Sequence, residues 1–212
     1  PFDLTRPERA SQVVASALPD AIIHLASFSG GIGANQIVPA TAIHDTLLMG
    51  LNVLQAAVVC DVKKIVMVGS VCAYPKNCPV PFHEEDLWNG YPEETNSAYG
   101  IAKRALEEAG RAYRKQYGLN VVHLLMANLY GPGDNFDPDT SHVIPALIRK
   151  VAARDFKLWG TGKATRDFLY VKDAAEAVVT ALERYDNERP INIGTGVETK
   201  IAYAADTISI LM

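Results

Sequence analysis

Apolar and polar residues alternate in blocks along the chain, and the blocks change period from helix-like to strand-like. Thr5 to Leu18 predicts a helix with a mixed face, ended by Pro19-Asp20. Ala21 to Ala26 reads as a short buried strand, Thr41 to Val62 as a long helix, and Lys64 to Gly69 as a second buried strand. Val71 to Thr95 holds four prolines and predicts a long loop. Asn96 or Ser97 can cap a helix running to Tyr117, closed by Gly118, and Val121 to Met126 predicts a third buried strand. Beyond Asp134 the pattern weakens into loop, a helix at Val143 to Ala153 and a short strand at Lys157 to Trp159. It then recovers as strands at Arg166 to Val171 and Pro190 to Ile193 around a helix at Lys172 to Tyr185.

Continuous apolar strands separated by helices predict a parallel sheet covered on both faces, a doubly wound α/β fold. Ligands of such sheets bind beyond the carboxyl ends of the strands. The informative segments are therefore Ser27 to Asn35, Ser70 to Tyr74 and Asn128 to Asp134, which directly follow predicted strands. A smaller substrate-binding lobe is expected around 129–165 and 195–212, with 1–128 and about 166–194 forming the Rossmann-like part.

Composition narrows the function. The 212 residues carry a formal net charge of -4, and the 20 Lys and Arg are scattered, so no basic field for nucleic acid is expected. The longest apolar stretch, Leu47 to Cys60, is interrupted by Asn52 and Gln55 and reads as too short and too polar to span a bilayer. Three cysteines without metal-like spacing, and no signal-peptide pattern, predict reduced thiols in a cytosolic protein.

Tyr99-Gly100-Ile101-Ala102-Lys103 places a tyrosine and a lysine one helical turn apart on one face. A lysine cation beside a phenol stabilises the phenolate, so the pair can exchange a proton with a hydroxyl or a carbonyl. Taken alone, the spacing reads as a surface Tyr and Lys on an amphipathic helix. Ser70, at the end of a predicted strand, can hydrogen-bond the reacting oxygen. Ser70, Tyr99 and Lys103, in this order and on these elements, resemble the proton relay of the short-chain dehydrogenase/reductase superfamily.

Three blocks narrow the resemblance: Gly69 to Lys76, Asn128 to Phe136, and Ser141 to Leu147. Together with Leu25-Ala26, Gly30-Gly31-Ile32, Gly160 to Gly162 and Arg166-Asp167-Phe168, they are similar to the GDP-L-fucose synthase family of extended short-chain dehydrogenase/reductases. The similarity runs across nearly the whole chain. It implies a homodimeric enzyme that epimerises a GDP-4-keto-6-deoxymannose at C3 and C5 and then reduces C4 with NADPH, with NAD as the other possible cofactor. It further implies Ser70, Tyr99 and Lys103 as the reductase relay, and Cys72 and His142 as base and acid of the epimerisation. Asp3, Leu25, Ala26, Ser27 and Asn128 would border the cofactor together with Tyr99 and Lys103. Asn128, Trp159 and Arg166 would contact the substrate, with Ser70 and His142.

Two departures stand beside the resemblance. The family's G-x-x-G-x-x-G fingerprint is absent, and is expected upstream of Pro1; the cluster at Gly30 to Gly33 cannot replace it, because Gln36 stands where a glycine is needed. Val71-Cys72-Ala73 stands where Ser-Cys-Ile is expected, which admits a different nucleotide sugar. The alternative reading is an NAD-dependent nucleotide-sugar 4-epimerase or dehydratase using Ser70, Tyr99 and Lys103 without Cys72 or His142. His24 and His123, inside predicted strands, are expected to be hydrogen-bonded core residues.

Overall fold

A computed structural model describes residues 2–28, 30–155, 157–158 and 160–212. Helix α1 (Pro7–Ala17) leads into strand β1 (Ala21–His24), followed by α2 (Gly31–Ile37) and α3 (Pro39–Val59). Strand β2 (Lys64–Ser70) ends in the irregular loop, which returns as α4 (Ser97–Tyr117) and then β3 (Asn120–Met126). The remaining elements are β4 (Asn128–Tyr130), α5 (Val143–Ala152), β5 (Thr165–Arg166), β6 (Phe168–Tyr170), α6 (Val171–Arg184), β7 (Ile191–Ile193), β8 (Thr199–Lys200) and α7 (Ile201–Leu211).

Four strands pair in parallel in the order β1-β2-β3-β7. The strict alternation of strand side chains separates two cores. Ile65, Met67 and Val121 pack with Val53, Leu54, Ala57 and Leu106 beneath α1, α3 and α4. Val66, Val122, Leu124 and Met126 pack with Ala174, Val178 and Ala181 of α6 on the opposite face. Parallel strands buried on both sides need apolar residues at every position, which is why they read as unbroken runs.

The long helices follow from the same burial. Among the described residues, α3 is the one helix long and apolar enough to cross a membrane. Here it lies between α1 and α4, with Val53, Leu54, Ala56 and Ala57 in the core. Along α4, Ala102 is fully buried, Ala109 packs against the core, and Ala112 is exposed. No strand forms at Lys157 and Leu158, and Trp159 lies outside the described residues. The unpredicted α2 is a seven-residue helix whose sole buried residue is Asn35.

His24 and His123 differ from expectation. Both are buried, and both are in register with Met67. Yet His24 Nε2 and both ring nitrogens of His123 have no hydrogen-bond partner. Gly69 makes room for His123, since a Cβ there would stand 2.5 Å from its Nε2 and 2.9 Å from the Leu124 carbonyl. Burial, with the nearby Lys103 charge, pushes the imidazoles down to about 4 for His24 and about 3 for His123. The unfolded chain therefore binds more protons than the folded one below pH ~6.5, and stability falls as pH drops through that window toward the folded values. His123→Leu should remove its share, leaving the protein about 2 kcal/mol less sensitive to a change from pH 7 to pH 5. Urea midpoints at the two pH values test this; equal pH sensitivity in both proteins would refute it.

Candidate active site

The site lies at the carboxyl end of β2, where the sheet meets the start of α4. Ser70 closes the strand and turns the chain: its side chain accepts a hydrogen bond from Cys72 N at 3.2 Å, capping a 3₁₀ turn at Val71–Ala73. That bond holds Cys72 two residues beyond Ser70. Helix α4 reaches the turn closely because residue 100 is glycine; a Cβ there would stand 2.7 Å from the Cys72 carbonyl. The glycine that follows Tyr99 is thus set by the backbone of the thiol-bearing residue.

Lys103 is buried, 4% exposed, and donates to the Val68 carbonyl at 2.8 Å. Its ammonium lies 5.5 Å from the centroid of the Tyr99 ring. Burial, opposed by nearby Cys72, brings Lys103 down to about 8. Tyr99 is pushed above the usual phenol range, first by burial and then by Cys72, while hydrogen bonds from Ser27 and Ser70 oppose the rise. Ser27 also lies 3.3 Å from Thr46 Oγ1 across the first loop. The structure therefore gathers Ser27, Ser70, Cys72 and Lys103 around the Tyr99 side chain.

The other expected residues lie farther out. His142 is exposed and stands at the start of α5 without a side-chain capping bond. The preceding loop meets α2: Cβ positions built on Gly31 and Gly33 lie 3.5 Å from the Ser141 and Asp139 carbonyls respectively. From its far side, α2 reaches toward α4 through Asn35, which donates to Asn96 Oδ1 at 2.8 Å. Sequence reasoning placed this segment near ligand but did not single out Asn35. Asn128 donates twice to the Asp167 carbonyl, through its side chain and its backbone, each at 3.0 Å. Arg166 is exposed on β5 and donates to its neighbour Thr165. Leu25 is exposed, Ala26 partly buried, and Asp3 is bonded to Thr5 near the start of α1.

A desolvated ammonium with one carbonyl partner keeps donors for a polar ligand, and Tyr99, Ser70 and Ser27 face the same space. This donor set fits a nicotinamide nucleotide laid across the strand ends with a carbonyl substrate against the phenol. No group of His, Cys, Asp and Glu suited to a metal occurs among the described residues.

The model of the NAD dependent epimerase/dehydratase family matches residues 1–194. The chain belongs to that family. A GDP-L-fucose synthase of Sinorhizobium fredii is 42% identical over 98% of this chain and 68% of its own length. The Escherichia coli K12 protein of that name is 39% identical over 92% of this chain and 65% of its own. A Naegleria fowleri GDP-L-fucose synthetase crystal structure bound to NADP superposes with a TM-score of 0.88 at 32% identity. That match covers 98% of this chain and 66% of the other. The chain thus spans about two thirds of the length of these relatives.

Holding Lys103 in this buried position costs stability. In the window between about 8 and its unfolded value near ~10.5 the unfolded chain holds the extra proton, so below about 8 the full penalty applies. Lys103→Met should stabilise the protein at pH 7 by about 2 kcal/mol, after allowing ~1 kcal/mol for the lost hydrogen bond. A lower urea midpoint for the variant than for the parent at pH 7 would contradict this.

Proposed function

We propose that the protein converts GDP-4-keto-6-deoxymannose to GDP-L-fucose, by epimerisation at C3 and C5 followed by NADPH-dependent reduction at C4. The observation that carries this reading is a single cluster holding both a reductase relay and a thiol: Cys72 sits on the turn capped by Ser70, against the helix that bears Tyr99 and Lys103. A simple 4-epimerase would need the relay without the thiol. The 42% and 39% identities to proteins named GDP-L-fucose synthase support the same choice over a UDP-glucose 4-epimerase from Thermotoga maritima, which is 25% identical.

In this reading the C4 ketone acidifies the protons at C3 and C5. Cys72, as thiolate, removes each proton to give an enolate, and His142 returns a proton to the opposite face, inverting the centre. The bound cofactor supplies hydride to C4. Tyr99 gives its phenolic proton to the C4 oxygen, which Ser70 holds by a hydrogen bond, and Lys103 stabilises the phenolate left behind. Arg166 would meet the diphosphate, a planar guanidinium suiting that anion, with Trp159 and Asn128 near the nucleotide and sugar. Leu25, Ala26, Ser27 and Asp3 would border the cofactor.

The same reading assigns 1–128 and about 166–194 to cofactor binding, supported by the return of β7 to the parallel sheet. Residues 129–165 and 195–212 form the substrate lobe, supported by the packing of α5 on α7 and the pairing of β5 with β8. A homodimer in the cytosol completes it, supported by the side-by-side α3 and α4 and by three free cysteines.

With the full-length protein, NADPH and GDP-4-keto-6-deoxymannose, absorbance at the nicotinamide band should fall as GDP-L-fucose forms. Without NADPH in deuterated water, C3 and C5 should take up deuterium, and Cys72→Ser should cut that uptake by at least ~100-fold. Uptake unchanged in the variant would remove Cys72 from the mechanism, and no NADPH oxidation by the parent would reject the substrate.

A further inference from the structure

The loop between Ser70 and Ser97 carries the thiol, and one buried cation ties it to α4 at two points. Arg104 follows Lys103 on α4 and is only 3% exposed. Its Nε donates to the Ala73 carbonyl and its Nη1 donates to the Gly90 carbonyl at 2.7 Å. The first contact holds the end of the 3₁₀ turn that contains Cys72; the second holds the far end of the loop as it returns to α4. The guanidinium lies 5.7 Å from the Trp88 ring, and Trp88 Nε1 donates at 3.3 Å to Glu107, itself buried one turn along α4. A planar fork can bridge two carbonyls from one rigid helix, whereas a lysine offers a single compact charge.

We propose that Arg104 is a positioning residue: by tying both ends of the loop to the helix that bears Tyr99 and Lys103, it sets the Cys72 thiol against the substrate carbon. Ser70 is held separately, by its place in β2. Loss of the fork therefore loosens the thiol more than the relay. The role in epimerisation rests on the function proposed above; the fixing of the thiol does not.

The test uses full-length protein carrying Arg104→Lys, which keeps the charge and loses the two-point bridge, with Arg104→Gln as a second variant. Alkylation of Cys72 by iodoacetamide, followed by peptide mass spectrometry with Cys60 as internal reference, reads the loop without substrate. Cys72 should react at least ~3-fold faster in both variants while Cys60 is unchanged and NADPH affinity stays within ~2-fold. With GDP-4-keto-6-deoxymannose in deuterated water, uptake at C3 and C5 should fall at least ~10-fold. Unaltered Cys72 alkylation would overturn the inference, as would equal loss of deuterium uptake and NADPH affinity or failure of both variants to fold, since each marks a merely structural arginine. If the parent itself exchanges no deuterium, the proposed substrate falls and the alkylation result still decides the role of Arg104.

Discussion

Burying a lysine ammonium costs several kcal/mol unless its surroundings are built for it, and most of this site is built around one such lysine. Lys103 reaches the Val68 carbonyl only because α4 lies flush on β2. That approach requires the absence of a side chain at Gly100, against the Cys72 carbonyl, and at Gly110, where a Cβ would stand 2.8 Å from Val121. The same packing drives Arg104 and Glu107 inside with the lysine. The helix thus buries three charged residues close together, and each is matched to loop or strand groups.

A rigid scaffold then carries an irregular loop. The segment from 71 to 96 lacks a periodic apolar pattern; Ala73, Tyr74 and Leu87 pack against Leu125, and polar contacts add to that anchor. Tyr74 donates to Asn192 Oδ1 at 2.8 Å, and Asn192 N donates to Glu84 at 2.8 Å, pinning the loop to the edge strand β7. Arg104 secures its two ends. Catalytic groups on loops need this arrangement, since geometry must hold to fractions of an ångström while the backbone bonds of secondary structure are absent.

The strands and long helices were legible because burial on both faces writes itself as uninterrupted apolar runs, and because Gly118, with φ 70°, closes α4 with an ordinary end signal; the expected cap at its start is not made, since Asn96 precedes the helix without a side-chain capping bond and its Oδ1 accepts from Asn35 instead. Ser70, Tyr99 and Lys103 were legible because strand-end and i, i+4 logic apply to them directly. The short α2 was not, since seven residues with two glycines carry no periodicity. Arg104 and Glu107 were equally hidden: on a helix, a charged residue beside the lysine reads as solvated, and only the loop folding over it turns it inward. The orphaned ring nitrogens of His123 had no sequence signal, because hydrogen-bond satisfaction depends on neighbours from β2 and α4 distant in the chain.

The electrostatics of the cluster favour one direction of proton transfer. Burial holds Tyr99 above the ordinary phenol range, so at neutral pH it carries its proton. Lys103, at about 8, is also mostly protonated there. A site filled with two protons is suited to act as an acid toward a ketone, as the proposed reduction at C4 demands. An enzyme that begins by oxidising an alcohol needs the phenolate first, and would profit from a lysine held fully cationic rather than weakened by burial. The desolvation that makes Lys103 costly follows from the close approach of α4 to β2 that Gly100 permits.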